Sequence, residues 1–379
     1  MICNNILQGN VNDKLKEIES DSIQCVVTSP PYWGLRDYGT AEWIGGDSNC
    51  SHSVAKINPL KVGGFTGDRL RKEGGTENEK YLKYKNRCSD CGAIRQDNQL
   101  GIEATPEEYV ENMVDVFREI KRVLKDDGTV WLNLGDSYNN YRPGGTSQPK
   151  QTLTNNNGSV VSYSGKRNNK SITLKEKDLV GIPWRVAFAL QSDGWWLRQD
   201  IIWHKPNPMP ESVTDRCTKS HEYIFLLSKS SKYFYDNDAI AEQSLEYGKD
   251  KRSDLGNIRY DGKRTLDKSG KNGQDSFVTI NQTRNKRSVW TINTQPYKEA
   301  HFAVFPEELP TLCIKAGSKE GDVVLDPFFG SGTTGWVAQR LGRRWIGIEL
   351  NAEYIKIAEK RFNQRELFPL PKTQFIKKR

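Results

Sequence analysis

The sequence predicts an α/β fold built on a largely parallel β-sheet, and three observations carry that prediction. Short apolar runs at Cys25–Val27, Thr129–Leu134 and Val323–Leu325 read as strands. Helical periodicity lies between them, and helix alternating with strand is the pattern of an α/β sheet. Two of the runs break off into glycine- or proline-rich turns, and open α/β sheets gather their ligands at the carboxyl ends of strands.

In chain order, Asn5–Val11 is a strand candidate ending in Gly9-Asn10, followed by a helical turn over Asp13–Ile18. The run Ile23–Val27 stops in Ser29-Pro30-Pro31-Tyr32, because two successive prolines lack N–H groups and fix φ. Thr105-Pro106-Glu107-Glu108 has the form of a capping box with proline at the first helical position. Apolar residues at Tyr109, Val110, Met113, Val114, Phe117, Ile120 and Leu124 then trace one helical face, which Gly128 is expected to end. A helix is expected over Ile182–Leu190, and an antiparallel strand pair over Trp196–His204 and Glu222–Ser228, with Trp195, Trp196 and Trp203 filling the core. Helix Pro306–Ala316, strand Val323–Leu325, helix Thr333–Leu341, strand Trp345–Ile348 and a helix from Ala352 complete the alternation.

Composition narrows the function classes. At 379 residues the chain has room for a large core, yet only 35% of it is hydrophobic, so much of its length is surface or polar loop. A formal charge of +8 favours a polyanionic partner. No apolar run reaches the length of a membrane span, and no basic-then-apolar leader is evident. Seven cysteines, an odd number in a long chain, suit a reducing cytoplasm better than a disulfide framework.

The loop Asp326-Pro-Phe-Phe-Gly330-Ser-Gly332-Thr-Thr-Gly335 follows a strand and opens a helix, so its backbone is able to bend tightly and approach a ligand. Glu349 ends the next strand, where a carboxylate suits the two hydroxyls of a ribose. The glycines alone also satisfy a dinucleotide pattern, which leaves a nicotinamide-dependent dehydrogenase as a competitor. Asp326 argues against a pyrophosphate and for an ammonium group, and a ligand with ribose, adenine and an amino-acid ammonium is S-adenosylmethionine.

Thr28-Ser-Pro-Pro-Tyr-Trp near one end and Asp326-Pro-Phe-Phe-Gly-Ser-Gly near the other resemble the amino-methylating DNA methyltransferases. Within them the chain is similar to the β group, in which the catalytic motif precedes the cofactor motif. The resemblance implies a Rossmann-like S-adenosylmethionine-dependent methyltransferase fold in circularly permuted order, with a seven-stranded, mostly parallel sheet and polar insertions. It implies catalysis by Ser29, Pro30, Pro31 and Tyr32, and cofactor binding by Asn10, Phe302, Asp326, Phe328, Gly330, Ser331, Gly332, Thr333 and Glu349. Phe302 belongs to His301-Phe-Ala-Val-Phe-Pro306, which matches the family segment covering the methionine end of the cofactor, and Asp136 lies in the matching acidic turn. One departure is Gly9-Asn10 where the family usually has Gly-Asp. The implied substrate is double-stranded DNA in a prokaryotic or phage-type host cytoplasm, with a cognate restriction endonuclease left open as a partner. Ser at the first catalytic position is more typical of N4-cytosine enzymes and Asp-Pro-Pro-Tyr of N6-adenine enzymes. N4 of cytosine is therefore the expected target and N6 of adenine the alternative.

Other base chemistries fail on residues. Carbon-5 methylation in its own family uses a cysteine after proline, and no cysteine here follows a proline. A zinc deaminase needs His-x-Glu with Pro-Cys-x-x-Cys, and Cys88-Ser-Asp-Cys91 has neither the proline nor the partner motif.

The insertion brings its own signal. Cys50-Ser-His52 and Cys88-Ser-Asp-Cys91 offer a three-cysteine, one-histidine set for a structural Zn2+, with two unrelated cysteine pairs or a redox dithiol as alternatives. The polar, glycine-rich residues between His52 and Cys88 are not expected to fold without such a staple. Residues 1–40, 101–136, 179–238 and 289–379 are expected to form the core. Residues 41–100 form a zinc-binding insertion, 137–178 a mobile basic loop, and 239–288 a target-recognition region that includes Arg284, Lys286 and Arg287.

Overall fold

A computed structural model describes residues 3–34, 40–52, 87–139, 152–154, 160–162, 174–243, 283–295 and 305–366. In order the elements are β1 (Asn5–Gln8), α1 (Val11–Lys16), β2 (Ile23–Thr28), β3 (Glu42–Ile44), β4 (Ile94–Gln96), α2 (Pro106–Val123), β5 (Leu124–Leu134), β6 (Thr152–Thr154) and β7 (Val160–Ser162). There follow α3 (Ile182–Ser192), β8 (Trp196–His204), β9 (His221–Ser228), β10 (Glu242–Gln243), β11 (Thr283–Arg284), β12 (Val289–Thr291), α4 (Glu308–Gly317), β13 (Val323–Asp326), α5 (Thr333–Arg340), β14 (Arg344–Glu349) and α6 (Ala352–Glu366).

The main sheet has the order β1-β14-β13-β2-β5-β9-β8-β12. Five adjacent strands from β1 to β5 are parallel, β9 alone runs against its neighbours, and β12 joins β8 in parallel at the edge. This is one strand more than the seven expected. The extra one, Val289–Thr291, has three residues with only Trp290 buried, too short a stretch to announce itself by periodicity.

Strand β2 is buried at every position, as a strand covered on both faces must be. Ile23 and Val26 face a core with α1, α2 and α3, where Leu15, Tyr109, Phe117 and Val186 pack. Cys25 and Val27 face a second core with α4 and α5, where Leu309, Ile314 and Val337 pack. Helices on both sides of a parallel sheet follow. The start of α2 is fixed as its sequence suggests: Thr105 Oγ1 accepts from Glu108 N at 3.1 Å, while Glu108 reaches back to Ala104 N rather than to the cap itself. Its end differs from expectation. The helix stops at Val123, and Gly128 lies inside β5, where a Cβ would meet the Leu124 side chain at 2.7 Å. Trp195 and Trp203 are in the core, but Trp196 is 48% exposed. It alternates to the outer face of β8.

The chain leaves β2 for β5 on one side and β13 for β14 on the other. Between β2 and β13 the order therefore reverses, and a crevice opens beyond their carboxyl ends. Asn5–Gln8 pairs with Ile346–Glu349, so the first strand completes the sheet beside the strand that ends in Glu349. Strands β3 and β4 form a separate two-stranded sheet. No helix among the described residues is long and apolar enough to cross a membrane.

Candidate active site

The turn Ser29–Tyr32 leaves β2 at the crevice and is held from several sides. Tyr109 donates its hydroxyl to the Pro31 carbonyl at 2.9 Å, Trp33 Nε1 donates to Glu103 O at 3.1 Å, and Gly34 N donates to Gly101 O at 2.8 Å. Gly101 has φ +92°, and a Cβ there would stand 3.0 Å from the Tyr32 carbonyl. Gly135 is required for a similar reason, since its Cβ would sit 2.5 Å from the Tyr32 ring.

Two residues not singled out in the sequence organise the turn's polar groups. Asn133, on the neighbouring β5, donates its amide hydrogens to Glu222 Oε2 at 3.2 Å and Tyr223 O at 3.1 Å. With Nδ2 committed to two acceptors, Oδ1 must face the turn, where Ser29 Oγ lies at 3.2 Å and the Tyr32 hydroxyl at 3.1 Å. Tyr32 also donates to Glu222 Oε2 at 2.9 Å, and Lys205 pairs with the other oxygen of that carboxylate. A single phenol hydrogen goes to the carboxylate, the stronger acceptor. That leaves Asn133 Oδ1 for the Ser29 hydrogen and the Ser29 lone pairs for another donor. Desolvation and the Glu222 charge push the Tyr32 pKa well above its ordinary value. Asn133 had a signal in the sequence: a lone amide in the apolar run Thr129–Leu134, 2% exposed in the structure.

Across the crevice, the expected cofactor residues divide in two. Asp326 is only 2% exposed, and both of its carboxylate oxygens are engaged by neighbouring donors. Its Oδ1 accepts from Thr28 Oγ1 at 2.7 Å and Phe328 N at 3.1 Å, and its Oδ2 from Thr334 Oγ1 at 2.7 Å. Burial raises its pKa to about 7. The side chain ties the glycine loop to β2. Thr333 likewise accepts from Arg361 Nη1 at 2.8 Å, Ser331 is buried, and Gly332 caps α5 at φ +78° with the Ala358 methyl 3.1 Å from where its Cβ would stand.

The other group lines the crevice. Half-buried Phe328 and Gly330 stand at the end of β13, and a Cβ on Gly330 would meet nothing within 4 Å, so open space lies above the loop. Glu349, at the end of β14, accepts from Gly330 N and Asn351 N, both at 2.8 Å, and burial raises its pKa. Asn10 caps α1 by accepting from Asn12 N at 2.9 Å, next to Gly9, whose N–H bonds the Glu349 carbonyl. Phe302 lies outside the described residues. Asp136 accepts from Ser137 N, Gly181 N and Ile182 N, which makes it a cap for α3.

Phe329 was read only as part of the loop, yet it anchors it. The ring stacks on Trp345 at 5.1 Å and fills the space that side chains on Gly335 and Gly347 would take. Of the expected target-recognition region, 244–282 lie outside the described residues, and Arg284 and Arg287 both pair with Glu242.

At the insertion, Cys50, His52, Cys88 and Cys91 converge, with their ligand atoms all within 4.8 Å of one another. Residues 53–86 lie outside the described residues.

With the Ser29–Tyr32 turn and the glycine loop tied together at the switch point of a parallel sheet, the chain matches known proteins over nearly its whole length. The family model described as DNA methylase, of the N6/N4 methyltransferase type, matches residues 23–360. This chain belongs to that family. It is 41% identical over 360 residues to the type II methyltransferase M.SmaI of Serratia marcescens, covering 95% of this chain and 91% of that one. It is 38% identical to M.Cfr9I of Citrobacter freundii, over 94% and 86% of the two chains. Among solved structures, the PvuII DNA methyltransferase (cytosine-N4-specific) superposes with a TM-score of 0.53 at 16% identity, covering 94% of this chain and 86% of that one, a likeness of fold. The protein is an amino-methylating DNA methyltransferase of the cytosine-N4 or adenine-N6 class.

Proposed function

We propose that this DNA methyltransferase transfers the methyl group of S-adenosylmethionine to N4 of cytosine, with the target base turned out of the duplex stack. The observation that carries this reading is the Ser29 hydroxyl, oriented by Asn133, at the position where the family's adenine enzymes typically bear a carboxylate. When bound, the cofactor supplies an electrophilic methyl group. Asn10, Phe328, Gly330 and Glu349 would hold it, and the open space above Gly330 suits a ligand at the loop.

The chain's own residues then have distinct tasks. An exocyclic amine is conjugated with its ring and is a poor nucleophile. Ser29 Oγ, with its hydrogen given to Asn133, and the Pro30 carbonyl accept the two amine hydrogens and so turn the nitrogen lone pair toward the crevice. Rate enhancement comes from this in-line positioning and from acceptors placed where positive charge develops. Tyr32 stays protonated, anchored to Glu222, and offers its ring face to the base. The substrate on this reading is double-stranded DNA, and a restriction endonuclease cutting the same site is the activity such methylation would block.

The test is incubation with labelled S-adenosylmethionine and duplex DNA, followed by digestion to nucleosides. Labelled N4-methylcytosine is expected. N6-methyladenine alone would establish the second reading, and no labelled nucleoside from DNA of varied sequence would refute both. Ser29→Ala should lower kcat about 10- to 100-fold with cofactor affinity unchanged, the scale of a lost positioned hydrogen bond.

A further inference from the structure

We infer that Cys50, His52, Cys88 and Cys91 bind one structural zinc ion, and that this ion braces the catalytic turn through the strand that follows it.

The four donors come from two chain segments and meet at one point. Cys50 Sγ lies 3.7 Å from Cys88 Sγ, and Cys91 Sγ lies 3.3 Å from His52 Nδ1. A tetrahedral ion with metal–sulfur bonds of about 2.3 Å sets two sulfur ligands about 3.8 Å apart, close to the Cys50–Cys88 separation, and all four donor atoms lie within 4.8 Å of one another. A disulfide would need sulfurs about 2.05 Å apart, and a multinuclear iron–sulfur cluster would hold ligands of different irons farther apart than the 4.8 Å that bounds all four donors here. All four positions are filled by protein, so the site is closed and structural in type.

The local backbone is shaped around the donors. Cys88 N bonds Ala93 O at 2.7 Å and Gly92 N bonds Cys88 O at 3.1 Å, folding Cys88–Cys91 into a tight knuckle. Gly46 has no room for a side chain, since a Cβ would stand 2.7 Å from Cys91 Sγ. His52 takes φ +44°, unusual for a non-glycine residue, and its ring stacks on Trp43 at 5.1 Å.

Apolar packing does not account for this order. Strands β3 and β4 have three residues each with outward faces exposed, and Ile44 and Ile94 are 52% and 58% exposed. Among the described residues of 40–52 and 87–100, only Cys88, Ala93 and Gln99 are buried. An isolated two-stranded hairpin is marginal in water, and a small module without a core needs a cross-link or a metal.

The module leads directly into the site. Thr40 Oγ1 bonds Asp97 at 2.9 Å, Asn98 O accepts from Asn10 Nδ2 at 3.4 Å, and Gly101 receives the Gly34 N–H beneath the catalytic turn. Fixing Cys88 and Cys91 thus fixes β4 and the segment after it, which carries Asn98 and Gly101.

Metal content of the full-length protein purified without chelator is the first measurement, and its outcome does not depend on which base is methylated. One zinc per chain is expected, falling below about 0.1 in Cys88→Ser and Cys91→Ser and unchanged in Cys217→Ser, whose thiol is exposed and remote in sequence. Zinc absent from the native protein, or retained in both ligand variants, overturns the proposal. Should those variants not fold, the native protein decides: replacing the ion by Co2+ must give the absorption of a tetrahedral thiolate site, and an octahedral spectrum or none overturns the assignment. For the bracing role, stripping the metal should speed hydrogen exchange at the Gly34 amide about tenfold or more while the amides of Val26 and Val130 in the sheet stay protected. Unchanged exchange at Gly34 would refute the brace.

Discussion

Replacing Asp326 by asparagine separates a carboxylate that binds the cofactor from one that braces the loop. Burial lifts its pKa from 3.8 to about 7. Between those values the folded protein keeps a proton that the unfolded chain has released. The stability tied to this proton is complete below about pH 4 and is lost as pH rises through about 7. At about 1.4 kcal/mol per pH unit, that span corresponds to at most about 4 kcal/mol. Asparagine keeps Oδ1 for Thr28 and Phe328 N. Its new amide would donate to Thr334 Oγ1, whose hydroxyl hydrogen then turns to Val27 O, 3.3 Å away. The second amide hydrogen has no partner among these groups, a cost that is independent of pH and so lowers the offset between the two proteins without changing its slope. Urea unfolding of both proteins from pH 4 to 8 should therefore show a difference that grows with pH, with Asp326→Asn the more stable at pH 8 by up to about 4 kcal/mol. Cofactor affinity should stay within about twofold. Parallel pH dependence in the two proteins would refute the buried-proton argument, and a tenfold or greater loss of affinity, about 1.4 kcal/mol, would restore Asp326 as a direct ligand.

Two further substitutions probe the site and its support. Asn133→Ala removes the acceptor beside Ser29 and Tyr32 and a donor to Glu222; two hydrogen bonds at about 1 kcal/mol each predict a loss of about 30-fold in kcat, and a loss under twofold in single-turnover assays would dismiss the role of Asn133. Gly347→Ala places a methyl group 2.4 Å from the Phe329 ring, which should destabilise the protein by about 1–3 kcal/mol, and an unchanged melting temperature would contradict the anchoring of the loop by that ring.

Features governed by local backbone chemistry were legible in the sequence. Two prolines had to end β2 at Ser29, Thr105 and Pro106 had to open α2, and a strand as apolar as Cys25–Val27 had to be covered on both faces. The order of the two motifs, together with the strand ends they occupy, was enough to resemble a DNA amino-methyltransferase. The four zinc-type donors were legible as one set from their spacing, and the structure brings them together.

What the sequence could not assign were partners brought together by sheet register. Thr28 and Asp326 are 298 positions apart, Tyr32 and Glu222 are 190, and Ser29 and Asn133 are 104. Their contacts exist because β2 lies between β13 and β5 and β9 adds beyond, an arrangement no local periodicity encodes. Hence Asp326, read alone as a charge for the ligand, also bonds Thr28 and Thr334 beneath the loop, and Asn133 and Glu222 hold the polar groups of the Ser29–Tyr32 turn. Composition and local sterics determined which turns would form. Only the register of the folded sheet decided which side chains those turns would meet.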